Sequence, residues 1–417
     1  MVTDDVVEVV RAGLRRNDRV FWLDGGGARD WSGRRSLVGV LDADDVSLTY
    51  DAGRREVVRH RGARSQVVGD DVFAVLEAEV ARDAGDPDVH WVGVLGYAAR
   101  PDLPARPWGL GPDAVWMRTR RISFFDHPRA PGDGVTATTG PVQGDTGTPP
   151  GWYAAAFAEV QERLHAGDSY EVNLTYRERV ERDATDPLAT YLRLRRRNPA
   201  PYAGLLSHRG THLLSSSPER YATIGRDRTV ETRPIKGTTA RAADRGEDEA
   251  ARERLATDAK FRSENLMIVD LLRHDLAQVC EVGSVAVPSL MAVETYASVH
   301  QLVSTVTGRL RHDVGTVAAL RALFPAGSMT GAPKRRTMEV VDAVEAEPRG
   351  LYAGALGWIS ADGRADLGVV IRSLYAAPGT PWLLGTGGGI TVRSEVAEEW
   401  AETRWKAERL LASVRGR

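Results

Sequence analysis

Residues 382–411 read WLLGTGGGITVRSEVAEEWAETRWKAERLL. A strand-like apolar run ends in three consecutive glycines, and after a short polar break a helical pattern begins, with Ser394 as its expected cap. The same alternation of strand and helix runs through the rest of the second half. HLLSSS (212–217), YATIG (221–225), GALGWIS (354–360) and LGVVIRSLY (367–375) read as strands. LMIVDLLRHDLAQV (266–279), VAALRALF (317–324) and PKRRTMEVVDAVE (333–345) read as helices. The predicted class is α+β.

Earlier in the chain, RVFWL (19–23), SLVGVL (36–41), VSLTY (46–50), HWVGVLGY (90–97) and RISFFDH (121–127) read as strands, with a helix over 71–82. Residues 128–151 are rich in Pro, Gly and Thr and predict a mobile surface linker. A helix over 152–165 and a strand, SYEVNLTYRERV (169–180), follow. The organisation expected is a strand-rich part over 1–127, the linker over 128–151, and a core over 152–417.

Composition narrows the function classes. A net charge of −2 gives no reason to expect nucleic acid or an anionic membrane as partner. No run of eighteen apolar residues occurs, and the acidic start MVTDDVVEVV lacks the form of a signal peptide. The one cysteine, Cys280, fits a reducing cytoplasm and reads as a buried thiol. Of the 55 basic residues only Lys236, Lys260, Lys334 and Lys406 are lysine. Lysine can lose its proton and act as a nucleophile, which arginine cannot. For Lys260, in the mixed-charge stretch RERLATDAKFRSE, an ordinary surface role is expected.

Glu398, Glu402 and Lys406 lie four apart and share a helix face, ordinarily a solvated one. The glycines of TGGGI add a second reading, an anion site of backbone N–H groups at a helix start. Glu264 is expected to start a helix after Ser263 and to border its buried stripe, where a divalent cation would satisfy the carboxylate. Glu219 and Lys236 are expected on neighbouring strands, either as a salt bridge or as a general acid and a nucleophile. GSMTGAPKRR (327–336) does not have the spacing of a P-loop, although a Gly-rich loop entering a helix can hold an anion.

In order, GDSYEVNLTYR, SSSPER, TRPIKGT, SENLMIVDLLRHDL, VHQLVSTVTG, FPAGSMTGAPKRRTMEVVD, GALGWIS, VVIRSL and TGGGI followed by ETRWKAERLL resemble the chorismate-utilising family of anthranilate, aminodeoxychorismate, isochorismate and salicylate synthases. The resemblance runs from about 152 to 409. It implies one large domain of two packed β-sheets with outer helices and an active site in a cleft. It implies Mg2+ on Glu264 and Glu402. It also implies chorismate held by Gly237, Thr238, Thr330, Tyr352, Arg372, Gly387, Gly388, Gly389 and Lys406, with Glu219 as the acid that protonates the departing C4 hydroxyl.

Lysine within PIKGT, here Lys236, resembles the aminodeoxychorismate synthase branch. There it is thought to attack ring C2 before ammonia adds at C4. The water-activating lysine of the isochorismate and salicylate synthases would fall near Glu171. Gln301 stands where many relatives have histidine, with His300 one residue earlier and facing the other way on a strand. RVFWLDGG lacks the motif linked to tryptophan feedback. Ammonia is expected from a separate glutamine amidotransferase subunit, with the product entering 4-aminobenzoate and folate synthesis. The alternatives are an anthranilate or aminodeoxyisochorismate synthase and, in another class, a chorismate-binding protein without catalysis.

Overall fold

The computed structural model describes residues 2–27, 32, 34–127, 147–181, 186–296 and 299–414. Most of the expected linker, 128–146, lies outside the described residues. The fold is α+β, built on two antiparallel sheets.

The first sheet runs Gly331–Ala332, Glu171–Val180, Trp382–Ile390, Ser373–Ala376, Thr211–Ser217, Tyr202–His208, Arg19–Asp24, Arg35–Val40, Ser123–Asp126. The second runs Ile235–Ala240, Val299–Arg309, Thr229–Arg233, Arg220–Ile224, Ala365–Val369, Ala355–Ser360, His90–Leu95, Ala114–Thr119, Ser47–Asp51, Glu56–Arg61, Arg64–Gly69. Ala286–Thr295 pairs beside Val299–Arg309.

Both faces of the first sheet are covered, which is why its strands read as continuous apolar runs. Successive side chains point to opposite faces. Phe21, Leu206, Leu213 and Leu383 enter the core shared with Trp91, Trp116 and Ile224 of the second sheet. Their neighbours Val20, Trp22, Leu205, Leu214 and Leu384 meet the helices Val2–Arg16, Pro187–Arg197 and Val396–Val414 on the outer face. The first of those helices was not anticipated from its sequence. A third cluster packs helix Gly151–His165, through Tyr153, Phe157 and Val160, onto Val172, Leu174 and helix Lys334–Val344.

One expected element is corrected. LGVVIRSLY is two strands, Ala365–Val369 in the second sheet and Ser373–Ala376 in the first. The chain changes sheets between them, and Arg372 takes a left-handed backbone (φ 51°). It changes sheets again between Thr211–Ser217 and Arg220–Ile224, at Pro218 and Glu219. These two crossings bring Glu219 and Arg372 to one cleft.

Candidate active site

The cleft is lined by residues from both sheets and from two helices, among them Glu219, Lys236, Glu264, Tyr352, Arg372, Glu402 and Lys406. Gly237, Thr238 and Gly387–Gly389 also line it. Thr330 does not: it is fully buried, and its hydroxyl donates to the carbonyls of Ala326 and Gly327. The neighbouring Ser328 reaches the cleft instead.

Lys236 lies on Ile235–Ala240 where the pairing with Val299–Arg309 slips between Ile235 and Thr238. Such bulges re-aim a side chain. Gly237, next to it, has φ 94°, a backbone open to glycine and strained for other residues. Glu219 stands immediately before a second irregularity, where both pairings of Arg220–Ile224 slip. The two residues are not on neighbouring strands, as the sequence suggested, because Val299–Arg309 and Thr229–Arg233 lie between their strands. They meet because both bulges face the cleft.

Burial pushes the Glu219 carboxyl up to about 7, with the Ser328 hydroxyl and Lys236 pulling partly the other way. Ser328 Oγ donates to Glu219 Oε1 at 2.6 Å. A buried scaffold holds Ser328: its carbonyl accepts from Asn173 Nδ2 (2.8 Å), and Arg349 donates to the carbonyls of Asn173 (2.7 Å) and Met329 (2.5 Å). Arg349 is itself paired with Glu345 at 2.7 Å.

Lys236 Nζ pairs with Glu171 Oε1 on the opposite sheet. Burial alone would lower the amine's affinity for a proton. The carboxylates Glu171, Glu264 and Glu219 outweigh it, so the lysine is held protonated in the resting site. Glu171, which the sequence marked only as a place without lysine, is therefore the partner of the central amine.

Helix Ala259–Ala277 begins earlier than expected, with Asp258 accepting from Lys260 N (2.8 Å) and Phe261 N (3.1 Å). Glu264 is therefore in its second turn, buried, and its Oε1 has no hydrogen-bond partner. Burial raises its affinity for a proton. Lys260 is no surface lysine: it lines the cleft and pairs with Glu399 Oε1 at 2.7 Å. On helix Val396–Val414 the face toward the cleft carries Glu399, Glu402 and Lys406, whereas Glu398 is exposed. Lys406 pairs with Glu402 (2.5 Å) and donates to the Gly387 carbonyl (3.0 Å). Ser394 closes the preceding turn, accepting from Thr391 N at 3.1 Å, rather than capping the helix. Lys334 serves structure, bridging Asp275 and the Leu323 carbonyl.

Glycine in WLLGTGGGI makes room for neighbouring side chains and, at Gly387, for the paired backbone. A Cβ on Gly385 would collide with the Tyr352 ring, one on Gly387 with the Leu174 carbonyl, and one on Gly389 with Glu171 Oε1. Gln301 lines the cleft, while His300 faces away, bonded to Thr295 (2.8 Å) and Asp248 (3.1 Å).

Glu264 and Glu402 could hold a hard cation. Two carboxylates, one with a bare oxygen, suit a divalent ion that keeps several waters. No larger cluster of metal-binding side chains occurs among the described residues. No helix of the described residues is long and apolar enough to cross a membrane.

The chorismate binding enzyme family matches residues 136–412. The chain is 39% identical over 444 residues to an aminodeoxychorismate synthase of Streptomyces pristinaespiralis, covering 95% of this chain and 62% of that protein. It is 40% identical over 314 residues to aminodeoxychorismate synthase component 1 of Klebsiella aerogenes, covering 73% of this chain and 68% of that protein. The chain thus spans about three fifths of the length of the Streptomyces relative. The crystal structure of anthranilate synthase component I from Streptococcus pneumoniae TIGR4 superposes with a TM-score of 0.75 at 25% identity, over 92% of this chain and 93% of that one. Two sheets meeting at a cleft of paired acids and lysines, and a match over most of the chain, make this protein a member of the chorismate binding enzyme family.

Proposed function

We propose that the chain is the chorismate-converting component of an aminodeoxychorismate synthase, replacing the C4 hydroxyl of chorismate by an amino group. The observation that carries the reading is Lys236, a buried amine at a bulge, in one cleft with a Glu219 carboxyl that retains its proton near neutral pH.

Lys406, Arg372 and the glycine backbone of Gly387–Gly389 receive the substrate's carboxylates. Glu264 and Glu402 would hold Mg2+, which when bound would neutralise charge on a substrate carboxylate. Lys236 Nζ, once neutral, forms a bond to ring C2, the ring double bond shifts, and the C4–O bond breaks. Glu219 gives its proton to the departing oxygen, which leaves as water. Ammonia then bonds to C4, the double bond returns, and the C2–N bond to Lys236 breaks. Glu219 regains a proton from the new ammonium group. Tyr352 and Ile371 form part of the wall that excludes water.

The ammonia comes from a partner glutamine amidotransferase, and the product feeds 4-aminobenzoate and folate synthesis in the cytosol. The Klebsiella relative's designation as component 1 is consistent with a second component. The organisation follows the same reading, with residues 1–127 completing the sheets on which the 152–417 core builds the site.

The test is to incubate the chain with chorismate, Mg2+ and ammonium at mildly alkaline pH, and to identify the product by mass spectrometry beside Lys236→Ala. Aminodeoxychorismate from the parent, with activity lost in the variant, is expected. Anthranilate would move the protein to another branch, and untouched chorismate in the presence of amidotransferase would leave a binding protein.

A further inference from the structure

The central lysine must be a neutral amine when it attacks, so a proton acceptor has to stand within reach of its Nζ. Its direct hydrogen-bond acceptor in the structure is Glu171 Oε1. Glu171 is almost completely buried, and its second oxygen, Oε2, has no hydrogen-bond partner among the described residues. It begins strand Glu171–Val180, which pairs with Trp382–Ile390 so that Asn173 faces Gly389. A Cβ on Gly389 would strike Glu171 Oε1 and come within 3.1 Å of Lys236 Nζ, so the bare strand is what lets the two groups meet across the sheets. The other charges facing Lys236 are Glu264, from helix Ala259–Ala277, Glu402, from helix Val396–Val414, and Glu219, from the crossing before Arg220–Ile224. Glu219 is already engaged with Ser328 and retains its own proton near neutrality, so it is a poor acceptor.

We infer that Glu171 is the proton acceptor that frees the Lys236 amine for attack and returns the proton when the lysine is expelled. This rests on the reading of Lys236 as nucleophile. The balance closes. The Lys236 ammonium gives one proton to the Glu171 carboxylate, and the neutral amine bonds to ring C2. When the C2–N bond breaks, the neutral amine recovers that proton from Glu171. No proton has to cross to solvent between the two steps, which suits a pair as buried as Glu171 and Lys236.

The test compares the parent with Glu171→Gln, Glu171→Asp and Glu171→Ala in the ammonium-dependent reaction across pH, with Lys236→Ala in parallel. Thermal melting is used to confirm that each variant folds. Glu171→Gln is expected to lose roughly 100-fold or more in kcat near pH 7, the usual contribution of a positioned base. Its deficit relative to the parent should narrow toward alkaline pH, because solvent must now take the proton. Glu171→Asp should keep the parent's profile at reduced rate, and formate should partly rescue Glu171→Ala. A Glu171→Gln variant with the parent's kcat and profile would overturn the inference. So would a loss that is uniform across pH and unrescued by formate in folded protein. If Lys236→Ala itself retained turnover, the nucleophile reading would fall first, whatever the Glu171 variants did.

Discussion

At the scale of single residues the cleft works by holding ionisable groups away from their ordinary states. Burial is the main reason the Glu219 carboxyl sits near 7, above the 4.5 of an unperturbed glutamate. A group that must donate a proton is needed protonated, so kcat/KM is expected to fall as pH rises above about 7, and Glu219→Gln should lose turnover across the range. The same shift has a sign for stability. Between about pH 4.5 and about 7 the folded chain keeps a proton that the unfolded chain releases, so the contribution of Glu219 to stability declines through that window. The full deficit, reached above about 7, is on the order of 3 kcal/mol. In metal-free protein, Glu219→Gln is therefore expected to melt above the parent at pH 8 and close to it at pH 5. Equal melting points at both values would show that the carboxyl is not desolvated as described. Glu219, Lys236, Glu264 and Glu402 were legible in the sequence because their motifs are. Glu171 and Lys260 were not, because their partners, Lys236 and Glu399, lie far along the chain. The scarcity of lysine did point at Lys260, but its mixed-charge neighbours disguised it as surface.

At the scale of elements, strand Trp382–Ile390 shows how a single stretch can carry several separate requirements. Its glycines were read as a backbone cradle for an anion, and the structure adds a requirement for space at each. Gly387→Ala would drive a Cβ into the Leu174 carbonyl of the paired strand, which is backbone and cannot step aside. A loss of about 1–3 kcal/mol in stability is expected, read as a lower melting temperature. Gly389→Ala would instead push on Glu171 Oε1, the end of a side chain that can turn away. That variant is expected to fold with a smaller loss of stability, yet lose most of its turnover as the Lys236 pair is parted. If both variants lost stability alike and turnover alike, the two glycines would share one role. Helix Val396–Val414 teaches the matching lesson about periodicity. Spacing by four found the Glu402–Lys406 pair, but it also selected Glu398, whereas the cleft takes Glu399, three residues before Glu402. Which of two adjacent acids turns inward depends on where the helix lies on the sheet, and sequence spacing alone does not say.

At the scale of the molecule, strand and helix types were mostly readable, but the assignment of strands to sheets was not. LGVVIRSLY looks like one strand and serves two sheets, because a short left-handed step at Arg372 carries the chain across. The weakly patterned first part is likewise no appendage. Arg19–Asp24 lies inside the first sheet, bonded on one side to Tyr202–His208 and on the other to Arg35–Val40. His90–Leu95 lies inside the second, between Ala355–Ser360 and Ala114–Thr119. Removing residues 1–146 would leave Tyr202–His208 and Ala355–Ser360 each as an open edge. It would also strip Phe21, Trp91 and Trp116 from the core between the sheets. Loss of one large buried aromatic typically removes about 3–5 kcal/mol, and three together are comparable to the whole stability of an ordinary domain. A fragment of residues 147–417, although it holds nearly all of the matched family region and every residue of the cleft, is therefore expected not to fold alone. Circular dichroism, limited proteolysis and size exclusion would show it unfolded or aggregated. Adding residues 1–127 as a separate chain should restore a protease-resistant complex, since the lost contacts are strand pairings that a second chain can supply. A compact, monomeric fragment with a cooperative melt would mean that the second half is an independent domain and that the N-terminal strands merely cover it.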